Sequence, residues 1–80
     1  MDRAKLVRMA NEIAAFFAVE PERTAAIEGV AGHLKRFWEP RMRRELFAVL
    51  DAGGAHGMSE LVVEALRTQR GKLEPATSKH

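Results

Sequence analysis

Apolar residues recur along the chain at intervals of three and four, the period of an amphipathic helix. Nowhere do they alternate with polar residues long enough to make a strand. The first run spans about Asp2 to Ala18, and Asp2 is placed to accept from the helix's first free N–H groups. At about 100° per residue, Leu6, Ala10, Ile13, Ala14 and Phe17 share one face, with Met9 and Phe16 together on its shoulder. That arc is wider than one packing surface requires. Glu20-Pro21 interrupts the pattern, because proline keeps the preceding residue away from helical dihedrals. Pro21 is expected to open a second helix reaching about Phe37, with Ile27, Val30, Ala31, Leu34 and Phe37 as its core face. The opposite face carries Ala25, Gly29, Gly32 and Arg36, small enough for another backbone to approach closely.

Trp38-Glu39-Pro40 repeats the punctuation. A third helix should run from Pro40 to Ala52 with Met42, Leu46, Val49 and Leu50 inward, and Gly53-Gly54 should stop it. After a short loop over Ala55 to Met58, Ser59 is a good N-cap for a fourth helix whose apolar side is Leu61, Val62, Ala65 and Leu66. Gly71 should end that helix. Lys72 to His80 is polar and contains Pro75. The expectation is an all-α fold: a small bundle of three to four helices over residues 1–71, followed by a disordered C-terminal tail over residues 72–80.

Eighty residues make one domain with a thin core, burying roughly 60–65% of the surface of the unfolded chain. There is no cysteine, so neither disulfides nor thiolate metal sites can reinforce it. Helix packing, or a partner, must supply the stability. No segment has the run of about 18 apolar residues that a membrane span needs, and the N-terminus does not read as a secretory signal, so the expected location is the cytoplasm.

Catalytic and metal chemistry find little support. His33, His56 and His80 are scattered, without metal-ligand spacing. Ser59 has a sufficient role as a cap, and nothing resembles a nucleophile elbow. The Gly53-Gly54-Ala55-His56-Gly57 loop follows a helix and lacks the Gly-Lys-Ser/Thr ending of a phosphate loop, so it reads as a turn. No catalytic, metal or cofactor-binding residue is assigned.

Charge changes the picture at one place. The net charge is only +2, yet Lys35 to Arg44 holds Lys35, Arg36, Arg41, Arg43 and Arg44 against the single acid Glu39. Three arginines in the first turns of the third helix oppose its macrodipole. Arg41 and Arg44 should project to the polar side. Arg43 falls near Leu46 and Leu50 on the apolar side, where it either snorkels to water or pairs with an anion from outside the chain. Trp and Arg are enriched at binding hot spots. Met9, Phe16, Gly29, Gly32, Arg36, Trp38, Arg41, Arg43 and Arg44 are therefore the expected partner-binding residues.

The segments Lys5-Leu6-Val7-Arg8-Met9-Ala10-Asn11-Glu12-Ile13-Ala14-Ala15-Phe16-Phe17 and Phe37-Trp38-Glu39-Pro40-Arg41-Met42-Arg43 together resemble the delta subunit of bacterial NAD-dependent, molybdenum-containing formate dehydrogenases. The similarity runs from about Lys5 to Arg67, and Phe-Trp-x-Pro-Arg-Met-Arg is its most specific part. It implies a non-catalytic accessory subunit of a soluble complex that oxidises formate and reduces NAD. The molybdenum cofactor (a bis-guanine dinucleotide), the iron-sulfur clusters and the flavin would sit in larger subunits. The implied partner is the catalytic alpha subunit, whose assembly, cofactor retention or stability the chain would support. Two alternatives stay open. One is an assembly chaperone holding the cofactor's pyrophosphate with Arg41, Arg43 and Arg44. The other is a small helical nucleic-acid binder using Lys35 to Arg44, which the near-balance of charge disfavours. No membrane association is expected.

Overall fold

A computed structural model describes residues 2–75, and among them there are helices and turns but no strand. The helices are α1 (Arg3–Phe17), α2 (Arg23–Phe37), α3 (Pro40–Asp51), α4 (Glu60–Thr68) and α5 (Arg70–Leu73), with a single 3-10 turn over Gly54–Gly57 before α4. α1 packs on α2 and α3, while α4 lies against α2 and α1. α5 closes the end of the bundle against α2 and α4.

Most helix boundaries follow from local chemistry. Asp2 Oδ1 accepts the Ala4 N–H at 3.0 Å, and Ser59 Oγ accepts that of Val62 at 3.3 Å, so α1 and α4 begin on side-chain caps. Glu39 is extended and Pro40 takes the first position of α3. Gly53 adopts φ of +90°, which only glycine accepts readily. Gly54 is needed for a different reason: a Cβ there would run into Val49. The start of α2 differs from expectation. Pro21 and Glu22 form the bend that redirects the chain, and the helix begins two residues later, at Arg23.

The core is built from Leu6, Ala10 and Ala14 of α1, Ala26, Ile27, Val30, Ala31 and Leu34 of α2, and Leu61, Val62, Ala65 and Leu66 of α4. α3 is rotated relative to the expected face. It buries Leu46 and Leu50 together with Phe47 and Arg43, and leaves Met42 and Val49 half-buried. Two further corrections concern the ends of elements. Phe37, expected in the core, is 66% exposed, and the neighbouring Trp38 is only 5% exposed. Trp38 has left the helix for extended dihedrals, which turn its indole inward, whereas Phe37 lies at the margin of the buried arc where no element covers it. Gly71 does not end the bundle: Lys72 and Leu73 continue as α5, and Leu73 is fully buried. The tail expected over residues 72–80 is thus in place through Leu73, and residues 76–80 lie outside the described residues.

Side-chain clamps fix the helices to one another. Asn11 Nδ2 donates to the Gly57 carbonyl at 3.0 Å and its Oδ1 accepts the Ser59 N–H at 2.8 Å, holding the 3-10 turn and the start of α4 against α1. The Asn11→Ala variant removes both bonds, leaving the part-buried Ser59 N–H without its acceptor and the exposed Gly57 carbonyl to water. It should lose about 1–3 kcal/mol in urea denaturation, with faster amide exchange at Ser59.

Arg3 pairs with Glu45, Arg23 with Glu64, and Arg70 with both Asp51 and Glu74 while lying 4.8 Å from the centre of the Phe47 ring. Hydrogen bonds from Arg3 hold Glu45, and those from Arg70 hold Asp51 and Glu74, below the usual carboxylate range, and Asp51 and Glu74 in turn raise Arg70. A depressed folded pKa contributes stability above the unfolded value and loses it as pH falls through the folded one. Urea midpoints should therefore be level from neutral pH to about pH 5 and fall below about pH 4. An Arg3→Gln/Arg70→Gln variant should show a smaller drop. An equal drop would mean that other groups carry the acid sensitivity.

Candidate functional site

The surplus width of the α1 apolar arc has a structural outcome. Met9, Ile13, Phe16 and Phe17 line one side of an open groove, His33 of α2 lines the other, and the buried Trp38 closes its floor. The hollow continues at both ends. Met9 leads to a depression lined by Lys5, Leu6 and Met42, and Phe16 and Phe17 lead to another lined by Ala15, Val19 and Pro21. Rings run across the groove: Phe16 meets Phe17 edge-on at 5.1 Å, Phe17 meets His33 at 6.5 Å, and His33 meets Phe37 at 4.8 Å. Phe16 and Val19 are 73% and 85% exposed. A group of exposed aromatic and aliphatic side chains on one face marks an interaction surface more often than chance exposure.

Gly29 belongs to this site from beneath. A Cβ at Gly29 would run into the Phe17 ring, so the glycine lets Phe17 lie down against α2. It is an internal packing residue, contrary to its expected place on a docking face. Gly32 is exposed and opens instead onto the seam between α2 and α5, beside Lys35 and Lys72.

The arginines divide into two groups. Arg36 stands by the exposed Phe37, its guanidinium carbon 5.9 Å from the ring centre. Arg36, Arg41 and Arg44 are exposed and have no ion-pair partner among the described residues. Arg43 is different. It is 8% exposed, and its Nη1 donates to the Leu73 carbonyl at 2.9 Å, which ties α3 to the last turn of α5, while its Nε has no partner. Neither snorkelling nor an external anion accounts for it. Its guanidinium satisfies a carbonyl left free at a helix end.

Of the expected contact residues, then, Met9 and Phe16 come together at the groove, and Arg36, Arg41 and Arg44 stay on the surface, Arg36 beside Phe37. Trp38 and Arg43 are inside the bundle, because the first is the groove's floor and the second is a tie between helices. This also separates Arg43 from Arg41 and Arg44, so the three do not form the pyrophosphate cradle that a cofactor chaperone would need. Among the described residues, no three His, Asp or Glu side chains gather closely enough to hold a metal ion, and no helix is long and apolar enough to cross a membrane. Val19 and His33 line the hollows and Phe37 stands beside His33, and sequence reasoning missed all three. The available signal was the run Phe16-Phe17-Ala18-Val19, more apolar positions at a helix end than one face can bury.

Fold and site together define an all-helical bundle with a solvent-open aromatic groove beside an uncompensated basic turn. A family model covers residues 5–66, that of the delta subunit of NADH-dependent formate dehydrogenase, FdsD, and the chain belongs to this family. Among curated proteins and solved structures, none matches the chain.

Proposed function

We propose that the chain is a non-catalytic accessory subunit of a cytoplasmic, NAD-dependent formate dehydrogenase. It docks through the groove lined by Met9, Phe16 and His33, with the adjoining Phe37, on the catalytic alpha subunit and supports that subunit's assembly or stability. The observation that carries this reading is the groove itself: Phe16, Val19 and Phe37 remain open to water in a chain of the delta-subunit family. A thin bundle gains nothing from leaving three large apolar side chains exposed unless another surface covers them.

The molybdenum cofactor, the iron-sulfur clusters and the flavin would reside in the larger subunits. The residues here suit none of them well, since there is no cysteine to bind a cluster and the arginines of the α2–α3 turn do not converge.

Co-expression with the alpha subunit, followed by size-exclusion chromatography and molybdenum analysis, tests the proposal. The chain should co-elute with the alpha subunit in fixed ratio, and leaving it out should lower the yield or the metal content of the alpha subunit. An alpha subunit that is equally abundant and equally loaded without the chain, together with separate elution, would contradict it.

A further inference from the structure

Arg43, Phe47 and Asp51 follow one another at intervals of four on α3 and so form one stripe along it. All three hold the last short helix. Arg43 Nη1 donates to the Leu73 carbonyl at 2.9 Å, and the Arg70 guanidinium lies 4.8 Å from the Phe47 ring centre. Arg70 also donates to both Asp51 carboxylate oxygens, at 3.0 and 2.7 Å. α5 is thus pinned to α3 at two points, about 12 Å apart at the helical rise. On its other side, toward α2, an open hollow lined by Gly32, Lys35, Gln69 and Lys72 keeps it from lying flush.

The join to α4 is a single residue. Gln69 leaves helical dihedrals, with φ of −110° and ψ of 19°, between Thr68 and Arg70. Ordering each residue beyond it costs conformational freedom. Against that cost α5 buries one side chain, Leu73, whereas α1, α2 and α4 each bury several. Its ion pairs are exposed and so hold weakly. The family model ends at residue 66, so the stripe lies within the span it covers and the segment docked on that stripe lies beyond it.

We infer that α5 is a strap that hinges at Gln69 and opens as one unit while α1 to α4 stay folded, and that it gates Arg43. Closed, it occupies the guanidinium with the Leu73 carbonyl and shuts out water, although Arg43 Nε is buried and bonds to nothing among the described residues. Open, it returns that guanidinium to solvent together with the slot that Leu73 fills. Segments with few buried apolar side chains are the ones that open well before global unfolding. The inference does not depend on the accessory-subunit reading.

Hydrogen exchange read by NMR in the full chain tests it. The amides of Leu73 and Glu74 are bonded to the Gln69 and Arg70 carbonyls. They and Arg43 Nε–H should share one protection factor, at least about tenfold below that of the Leu34 and Leu46 amides. Asp51→Asn removes the outer pin. It should lower the three strap factors together by about twofold to fivefold and leave Leu34 and Leu46 unchanged. Fraying of the end would instead free Glu74 alone and leave Arg43 Nε–H protected like the core, and that result overturns the inference. Strap factors equal to those of the core overturn it too, as does an Asp51→Asn effect that is absent or uniform over the bundle.

Discussion

Replacing Trp38 with alanine is expected to destabilise the protein by about 3–5 kcal/mol, the range for truncating a large buried aromatic. Trp38 is 5% exposed and lies in the single hydrophobic core while also forming the groove floor. A domain of this size has on the order of 4–12 kcal/mol of stability in total, so the variant should lose a large share of it. The fall in Tm should be about 12 °C or more, read by circular dichroism at 222 nm. Binding to the alpha subunit should weaken as well, in part because the floor of the groove collapses. A Tm within a few degrees of wild type would mean that the indole is not packed as described.

The Phe16→Gln/Phe37→Gln variant should behave in the opposite way. Both side chains are mostly exposed, and glutamine is a good helix former, so thermal stability should change by no more than about 1 kcal/mol, part of it from the lost edge-on contact with Phe17. Affinity for the alpha subunit should fall by about 2 kcal/mol or more, roughly thirtyfold, as expected when central aromatic anchors are removed from an interface. Titration calorimetry or interferometry with the purified alpha subunit reads this directly. The pair of variants separates the two roles proposed for these adjoining residues, Phe37 covering the partner and Trp38 holding the bundle.

The helices were legible because their periodicity and punctuation agree: Asp2 and Ser59 as caps, Pro40 at a first helical position and Gly53 at a stop. What escaped lies where a helical wheel stops applying. Trp38 is the first residue beyond α2, and its inward direction depends on extended dihedrals that no period predicts. Arg43 occupies the middle of the buried arc of α3, and its partner, the Leu73 carbonyl, lies 30 residues away. Leu73 itself is a lone apolar residue among Gly71, Lys72, Glu74 and Pro75, without local signal for burial. Asn11 has a similar history: a polar residue beside the core face that gains its meaning only from a turn 46 residues later. For the site, Met9 and Phe16 were marked by an arc too wide for one contact. His33 and Phe37 join them only through the way α1 and α2 pair.

The central claim is that one face of α1 and α2 is the docking face. Hydrogen–deuterium exchange, comparing the chain alone with the chain in the assembled complex, tests it most directly. Protection on binding should concentrate in Met9 to Val19 and His33 to Phe37, with α4 changed little. Protection centred on α4, or spread evenly over the bundle, would contradict the account.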